Sequence, residues 1–353
     1  MAPSILYLLK TSAILSCLFY SPLEAAAIKK RAPPGVPQFA LDYAPLIYLH
    51  SDDPYRPSDI QSMLANTLPE VNFQAVPGAP SPMTLDNLNQ LNGLGGNSVY
   101  LTALKDVATD TDQPWLKGVT PDSTGLTNGA TSCAIIVNEK DSTTTDVFYF
   151  YFYNFNAGPP IKIFGASLIF GNHVGDWEHI MVRFVNQKPS QMWYSQHASG
   201  QAFTYDATRK VGNRPIGYSA KGSHANYAID GQHDHTIPDL NLPFQFFLTD
   251  TTNAGVLWDP TLSAYYYKFD ASSNSVTPYD STTPVNWLYY TGQWGDQQYP
   301  TTHPNQIVVF GQAKFGGGPT GPLSKQLPRN NVCPDSVKTC LVLPFLTAKR
   351  SKV

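Results

Sequence analysis

The sequence predicts an all-β protein, an antiparallel β-sandwich with long loops and a few short helices. Three observations point there. Asp146-Val-Phe-Tyr-Phe-Tyr-Phe-Tyr-Asn154 is an unbroken aromatic run, too β-prone for a helix and apolar on both faces, as suits a central strand. Further strand-like runs follow at 178–185, 191–197, 201–205, 215–220, 243–249, 263–269, 286–290 and 306–312, separated by turn residues at the spacing of a sandwich or barrel. No strand alternates with a long helix, which disfavours a doubly wound parallel sheet.

Taken in order, the chain opens with the apolar run Thr11-Ser-Ala-Ile-Leu-Ser-Cys-Leu-Phe-Tyr20 and the small-residue patch Ala25-Ala26-Ala27. Residues 1–27 read as a secretory signal peptide, with an uncleaved anchor as the alternative. Residues 28–31 read as a pro-segment, in which Lys29-Lys30-Arg31 offers a basic processing site before the Pro-rich stretch from Ala32. The rest, 32–353, reads as one β-rich domain. Removing residues 1–31 takes four basic residues and one acidic residue from a chain of net charge −3 and leaves −6. Tyr43-Ala-Pro-Leu-Ile-Tyr-Leu-His50 reads as a short strand. Ser58 reads as the cap of a helix over 59–68, in which Ile60, Met63, Leu64 and Leu68 recur at helical spacing. Residues 76–132 read as long loops with one short helix near 84–91.

Composition narrows the partners. Apolar residues make up 42% and charged residues 14% of the chain, against roughly 25% charged in an average globular protein, so there is ample material for a core. An acidic chain with no Lys/Arg-dense stretch beyond Lys29-Lys30-Arg31 lacks the electrostatic footprint of nucleic-acid binding. No apolar stretch after the signal reaches the roughly 18 residues of a membrane span, so no transmembrane segment is expected in the mature chain. Cys17 goes with the signal, leaving three cysteines. Cys333 and Cys340 enclose a loop small enough to close easily, so a Cys333–Cys340 disulfide is expected, with Cys133 a buried free thiol.

The informative segment is Gly171-Asn-His-Val-Gly-Asp-Trp-Glu-His-Ile-Met-Val-Arg-Phe184. If a strand begins near Asp176, the period of two puts Asp176, Glu178, Ile180, Val182 and Phe184 on one face and Trp177, His179, Met181 and Arg183 on the other. Two carboxylates then stand at the mouth of an apolar stripe, where an unpaired charge costs several kcal/mol. A divalent cation is one partner that would meet this, with His173 as a third ligand or the holder of a bound water. The spacing fits equally well a turn at Gly175-Asp176 and an ion pair from Glu178 to an Arg or Lys across the sheet. Oxygen ligands favour calcium or magnesium over zinc.

Seven ordered motifs carry a family likeness: Tyr43 to His50, Tyr55-Arg-Pro-Ser-Asp59, Gly175-Asp-Trp-Glu-His179, Tyr194-Ser-Gln-His197, Ala220-Lys-Gly-Ser-His-Ala-Asn-Tyr227, Leu257-Trp-Asp-Pro260 and Gly292-Gln-Trp-Gly-Asp296. Over roughly 40–340 the chain resembles the vacuolar protein sorting-associated protein 62 family of fungi. The likeness implies a role in protein delivery to the vacuole, and no reaction. One motif, His173-Val-Gly-Asp176-Trp177-Glu178, is also similar to the heptapeptide of the necrosis- and ethylene-inducing peptide-like proteins. Those are secreted β-sandwich cytolysins that bind a divalent cation and attach to plant membrane sphingolipids. That likeness implies cation-site positions at His173, Asp176 and Glu178. Asn172 and Gly175 depart from the heptapeptide, which leaves cytolysis without support.

Other polar clusters are weaker. Ser223 and His224 are adjacent and cannot face one another in an extended chain, and no Gly-x-Ser-x-Gly elbow exists, so a serine hydrolase is disfavoured. His224 and His197 follow strand candidates and are placed to reach the His173 site. His233 and His235 form a possible transition-metal pair or a solvated loop, and Trp294-Gly-Asp296 a turn whose aromatic packs on the sandwich edge. The leading expectation is a non-enzymatic protein of the secretory route, extracellular or vacuolar, whose cation site organises a surface for a lipid headgroup, glycan or protein. A metal-assisted hydrolase and a membrane-lipid-binding cytolysin-like effector are the alternatives.

Overall fold

A computed structural model describes residues 32–163, 166–235, 248–309 and 311–346. The strands that build the site are, in chain order, β1 (Leu46–Leu49), β2 (Cys133–Glu139), β3 (Thr144–Asn156), β4 (His173–Val185), β5 (Lys188–Gln196), β6 (Ser199–Thr204), β7 (Lys210–Val211) and β8 (Arg214–Ser219). They continue with β9 (Asn226–Tyr227), β10 (Gly231–His235), β11 (Leu248–Thr252), β12 (Val256–Trp258), β13 (Ala264–Asp270), β14 (Ser275–Pro278) and β15 (Val342–Leu343). Eight of them form one sheet in the order β14-β13-β2-β3-β4-β5-β6-β15. A second sheet runs β7-β8-β1-β12, with β9 against β8, and β10 pairs with β11 separately. Most pairings are antiparallel. Three are parallel: β1 with β8, β2 with β13, and β6 with β15.

The aromatic run is the axis of the large sheet, and its alternation sorts the core. Val147, Tyr149, Tyr151 and Tyr153 face one cluster, where Ile47, Leu49 and Trp258 of the second sheet cover them. Phe148, Phe150 and Phe152 face the other, under Ile60, Met63 and Leu64 and under Trp287, Trp294 and Leu327. The expected sandwich is the first of these two layers. The second is a cap of loops and short helices, so the large sheet is covered on both faces and its central strands are apolar on both. Strand β4 follows the predicted parity, with Ile180, Val182 and Phe184 on the tyrosine side and Trp177 and Met181 on the phenylalanine side.

Several local readings are corrected. The helix spans Ile60–Ala65, and its cap is Asp59, whose carboxylate accepts the Ser62 N–H at 2.8 Å; Ser58 instead accepts the Asn154 N–H. The chain then turns at Asn66 into a strand, Thr67–Val71, which leaves Leu68 on its exposed side. Asp59 also holds the Thr131 N–H at 2.9 Å, so Asp59→Ala should cost about 1–2 kcal/mol by urea denaturation. The helix expected near 84–91 is a 3-10 helix at Leu88–Gly93. The run at 286–290 is a 3-10 helix, Asn286–Tyr289, because Trp287 stacks on Trp177 at 5.5 Å and donates its N–H to Tyr267 Oη. Among the described residues of 306–312 only Val308–Val309 and the start of Gln312–Ala313 are strand, paired with each other. Trp294 is wholly buried in the core, not on an edge. The candidate at 243–249 lies outside the described residues up to 247, as do the signal and pro-segment.

The C-terminal segment is fastened to the large sheet. The Cys333–Cys340 disulfide is present and Cys133 is a buried free thiol. Arg329, fully buried, donates to the carbonyls of Lys325, Gln326 and Val332 and lies 4.9 Å over the Phe148 ring.

Candidate functional site

Strand β4 enters the sheet through Gly175, whose φ of +66° lies in the left-handed region. A Cβ there would sit 1.9 Å from the Trp294 carbonyl oxygen, so only glycine lets the two backbones touch. Immediately after it, Asp176 and Glu178 lie opposite Tyr153 and Tyr151 of β3.

Asp176 is held from across the sandwich. Its Oδ2 accepts from His224 Nδ1 at 2.9 Å, and His224 Nε2 lies 3.5 Å from Asp53 Oδ2. The His224 ring stacks on Tyr153 at 3.7 Å, and its φ of +54° turns it inward. Asp53 in turn accepts the backbone N–H groups of Tyr55 and Gly222. A buried imidazole thus lies between two buried carboxylates, hydrogen-bonded to Asp176 and in charge contact with Asp53, and Asp53 has the further support of two backbone N–H groups.

Glu178 is different. It is 7% exposed, and its Oε2 has no hydrogen-bond partner among the described residues. Burial, reinforced by the neighbouring Asp176, pushes its carboxyl well above the usual range. Of the expected ion pairs to an Arg or Lys, the one to Arg183 is not made, because Arg183 forms a two-pronged pair with Asp146 at 2.7 Å. Lys325 lines the same cavity, and its charge and a hydrogen bond from Ser195 act against the upward shift of Glu178. His173 places Nδ1 2.7 Å from the Gly175 carbonyl, so Nδ1 carries the proton and Nε2 is left as an acceptor. Burial lowers the pKa of this ring and keeps it neutral at pH 7.

Beyond these lies an anchor that sequence reasoning missed. Asp250 on β11 is 1% exposed and accepts three bonds of 2.7 Å, from His197 Nε2, Ser223 Oγ and Tyr227 Oη. Burial works against its charge, yet these donors hold the carboxyl below its usual range. Ser223 is therefore turned away from His224, as its adjacency required. His233 stacks on Tyr227 and reaches Thr252 Oγ1, while the side chain of His235 lies outside the described residues.

His173, Asp176, Glu178, His197, Ser223 and Lys325 line one cavity of about 310 Å³. Three of the four expected metal positions share it, and His224 supports Asp176 from behind. Among the described residues no group of three or more His, Cys, Asp or Glu side chains is arranged to hold a metal ion. Asp53, Asp250 and Lys325 gave no local signal, since each enters from a different part of the chain, whereas Tyr227 ends one of the family motifs.

The family model for vacuolar protein sorting-associated protein 62 matches residues 31–303. The chain belongs to the Vps62 family. Two proteins of Saccharomyces cerevisiae (strain ATCC 204508 / S288c) are similar to it. The putative vacuolar protein sorting-associated protein TDA6 is 37% identical over 335 residues, 85% of this chain and 69% of that protein. Vacuolar protein sorting-associated protein 62 is 33% identical over 341 residues, 87% of this chain and 69% of that one. Among solved structures, Necrosis and Ethylene inducing Protein 2 from the causal agent of cocoa's Witches Broom disease aligns with TM-score 0.26 and 14% identity, over 56% of this chain and 71% of that one. The non-toxic HaNLP3 protein aligns with TM-score 0.28 and 11% identity, over 68% and 80%. The span matched to the Vps62 family holds every cavity residue named above except Lys325, and ends before Arg329 and the disulfide. No helix among the described residues of this Vps62-family chain is long and apolar enough to cross a membrane.

Proposed function

We propose that this Vps62-family protein serves protein delivery to the vacuole as a binding protein of the secretory route, with a divalent cation in the cavity at Asp176 and Glu178. The observation that carries the cation is the buried, unpartnered Glu178 Oε2 beside a second carboxylate. A group so placed needs either a proton or a positive partner. Magnesium is often held by one or two carboxylates and keeps several waters, and calcium accepts mixed protein and water oxygens. Either therefore suits a cavity that lacks three clustered ligands, whereas zinc would require them. His173 Nε2 is an acceptor for a water of the cation's shell. The cation would supply fixed positive charge at the cavity mouth, where a lipid headgroup, glycan or protein partner presents oxygen. A serine nucleophile paired with His224 is disfavoured because the Ser223 hydroxyl is committed to the Asp250 carboxylate.

Cation binding requires Glu178 to give up its proton, so affinity should rise with pH and fall on acidification. Titration calorimetry with Mg²⁺ and Ca²⁺ at pH 5.5 and 7.5 checks this. A saturated site stabilises by about 2.7 kcal/mol at a hundredfold excess over Kd. Chelator should therefore lower the melting temperature of wild type and leave Glu178→Gln unmoved. A wild-type curve indifferent to chelator, with no metal by elemental analysis, overturns the cation. The sorting role is tested separately: deletion of the gene should cause mis-secretion of vacuolar hydrolases, and normal delivery would refute it.

A further inference from the structure

On the side of β4 away from Asp176, the Trp294–Asp296 segment lies directly on the backbone of Val174 and Gly175. A Cβ on Gly295 would meet the Val174 carbonyl oxygen at 1.9 Å, as one on Gly175 would meet that of Trp294. Asp296, 3% exposed, closes this segment. One oxygen, Oδ1, accepts the Ala103 N–H at 2.6 Å, and Oδ2 lies 3.2 Å from Tyr299 Oη. The same hydroxyl lies 2.8 Å from Asp106 Oδ1.

Tyr299 has a single hydroxyl proton and two carboxyl oxygens facing it. The shorter contact, to Asp106, takes that proton. The contact from Asp296 is then a hydrogen bond only if Asp296 carries a proton of its own and donates it to Tyr299 Oη. Ionised, Asp296 and Asp106 compete for one donor and repel each other across it. The other titratable groups around Asp296 are Glu70 from the Thr67–Val71 strand, whose charge acts on it, and His303, which stacks on Tyr299 at 4.6 Å with Nε2 3.7 Å from Asp106. His173 of β4 lines the same crevice, with Nδ1 committed to the Gly175 carbonyl.

We propose that Asp296, Tyr299 and Asp106 form an acid-engaged latch that holds the Trp294–Asp296 segment against the site strand in an acidic compartment and loosens it at neutral pH. Burial raises the Asp296 carboxyl from 3.8 to about 6, consistent with the shared proton. A folded pKa raised above the unfolded one favours folding most at low pH, and the advantage shrinks as pH climbs through the folded value. With these two pKa values the folding equilibrium constant falls about tenfold between pH 5 and 7.5 from this group alone. The latch is independent of the cation reading, since it needs no metal and no cavity residue.

Asp296→Asn is the decisive variant. Its amide oxygen keeps the Ala103 N–H, and its NH₂ donates to Tyr299 Oη at every pH, copying the protonated acid. Urea unfolding at pH 5 and 7.5 should show wild type losing about tenfold more in folding equilibrium constant than the variant. Hydrogen exchange, corrected for intrinsic rates, should show protection of residues 174–176 and 294–299 falling with pH in wild type only. Equal pH slopes in the two proteins, or a loss of protection spread over the whole sheet, overturns the latch. If Asp296→Asn does not fold, carbon NMR of labelled Asp carboxyls in wild type decides. One, assigned to Asp296, should titrate near 6, and a set in which no carboxyl titrates above about 5 refutes the proposal.

Discussion

Gly175→Ala is expected to abolish accumulation of folded protein. The added methyl would lie 1.9 Å from a carbonyl oxygen and 2.9 Å from its carbon, both backbone atoms of Trp294. Neither partner can retreat. Gly175 is held between Val174 and Asp176, both paired with β3, and Trp294 is wholly buried between Phe152, Trp177 and Trp287. The φ of +66° adds strain for any residue with a Cβ. A cost above about 4 kcal/mol follows, enough to consume much of a typical domain's stability. Gly212→Ala is the control: its φ is similarly positive at +59°, but a Cβ there meets nothing within 4 Å, so only about 1 kcal/mol of strain is expected. Soluble yield and near-ultraviolet circular dichroism separate the two. Folded Gly175→Ala protein with wild-type stability would show that β4 and Trp294 are not in contact as described.

Asp250→Ala should be the next most damaging change, at about 3–5 kcal/mol, because it removes the acceptor shared by Ser223, Tyr227 and His197 in a buried site. The sign with pH is fixed. Asp250 titrates below its ordinary 3.8, so its contribution is complete above that value and is lost as pH falls through the lowered one. The gap between wild type and Asp250→Ala should thus close as pH falls from above 3.8 through the lowered value. Chemical denaturation across that range measures it. A gap that persists in acid well below 3.8 would mean that Asp250 is not the charged acceptor.

How much of this was legible depended on whether the information was local. The alternation of tyrosine and phenylalanine in β3, and the parity that sets Asp176 and Glu178 apart from Trp177, follow from strand geometry alone. Cys333 and Cys340 pair as their spacing invited. The 286–290 run was misread because Trp, Leu and Tyr favour strands by composition, while the stacking of Trp287 on Trp177 decides its conformation. Strand β2 went unnoticed between turn-rich neighbours, although Ala134 to Val137 are all fully buried. His224 was expected at the site and meets Asp176 there, but Asp53 and Asp250 were out of reach, since they come from segments that meet it only after folding. Pattern shows which face a side chain takes, not what waits opposite it.

The parallel pairings have a consequence for how the chain reaches this state. Strand β2 is aligned with β13, joining Cys133–Asn138 to Ala264–Phe269, and β1 is aligned with β8, joining Leu46–Leu49 to Ile216–Ser219. Each closes a loop of well over a hundred residues before any contact repays it, and loop closure of that kind sets folding speed. Strand β3 is made early, yet its phenylalanine face waits for Trp287 and Trp294 and its tyrosine face for Trp258. Until those arrive, a long aromatic strand stands open to any passing edge, which is the condition that aggregation exploits. The large sheet is thus completed only once the chain as far as Arg329 is free to set that side chain over Phe148.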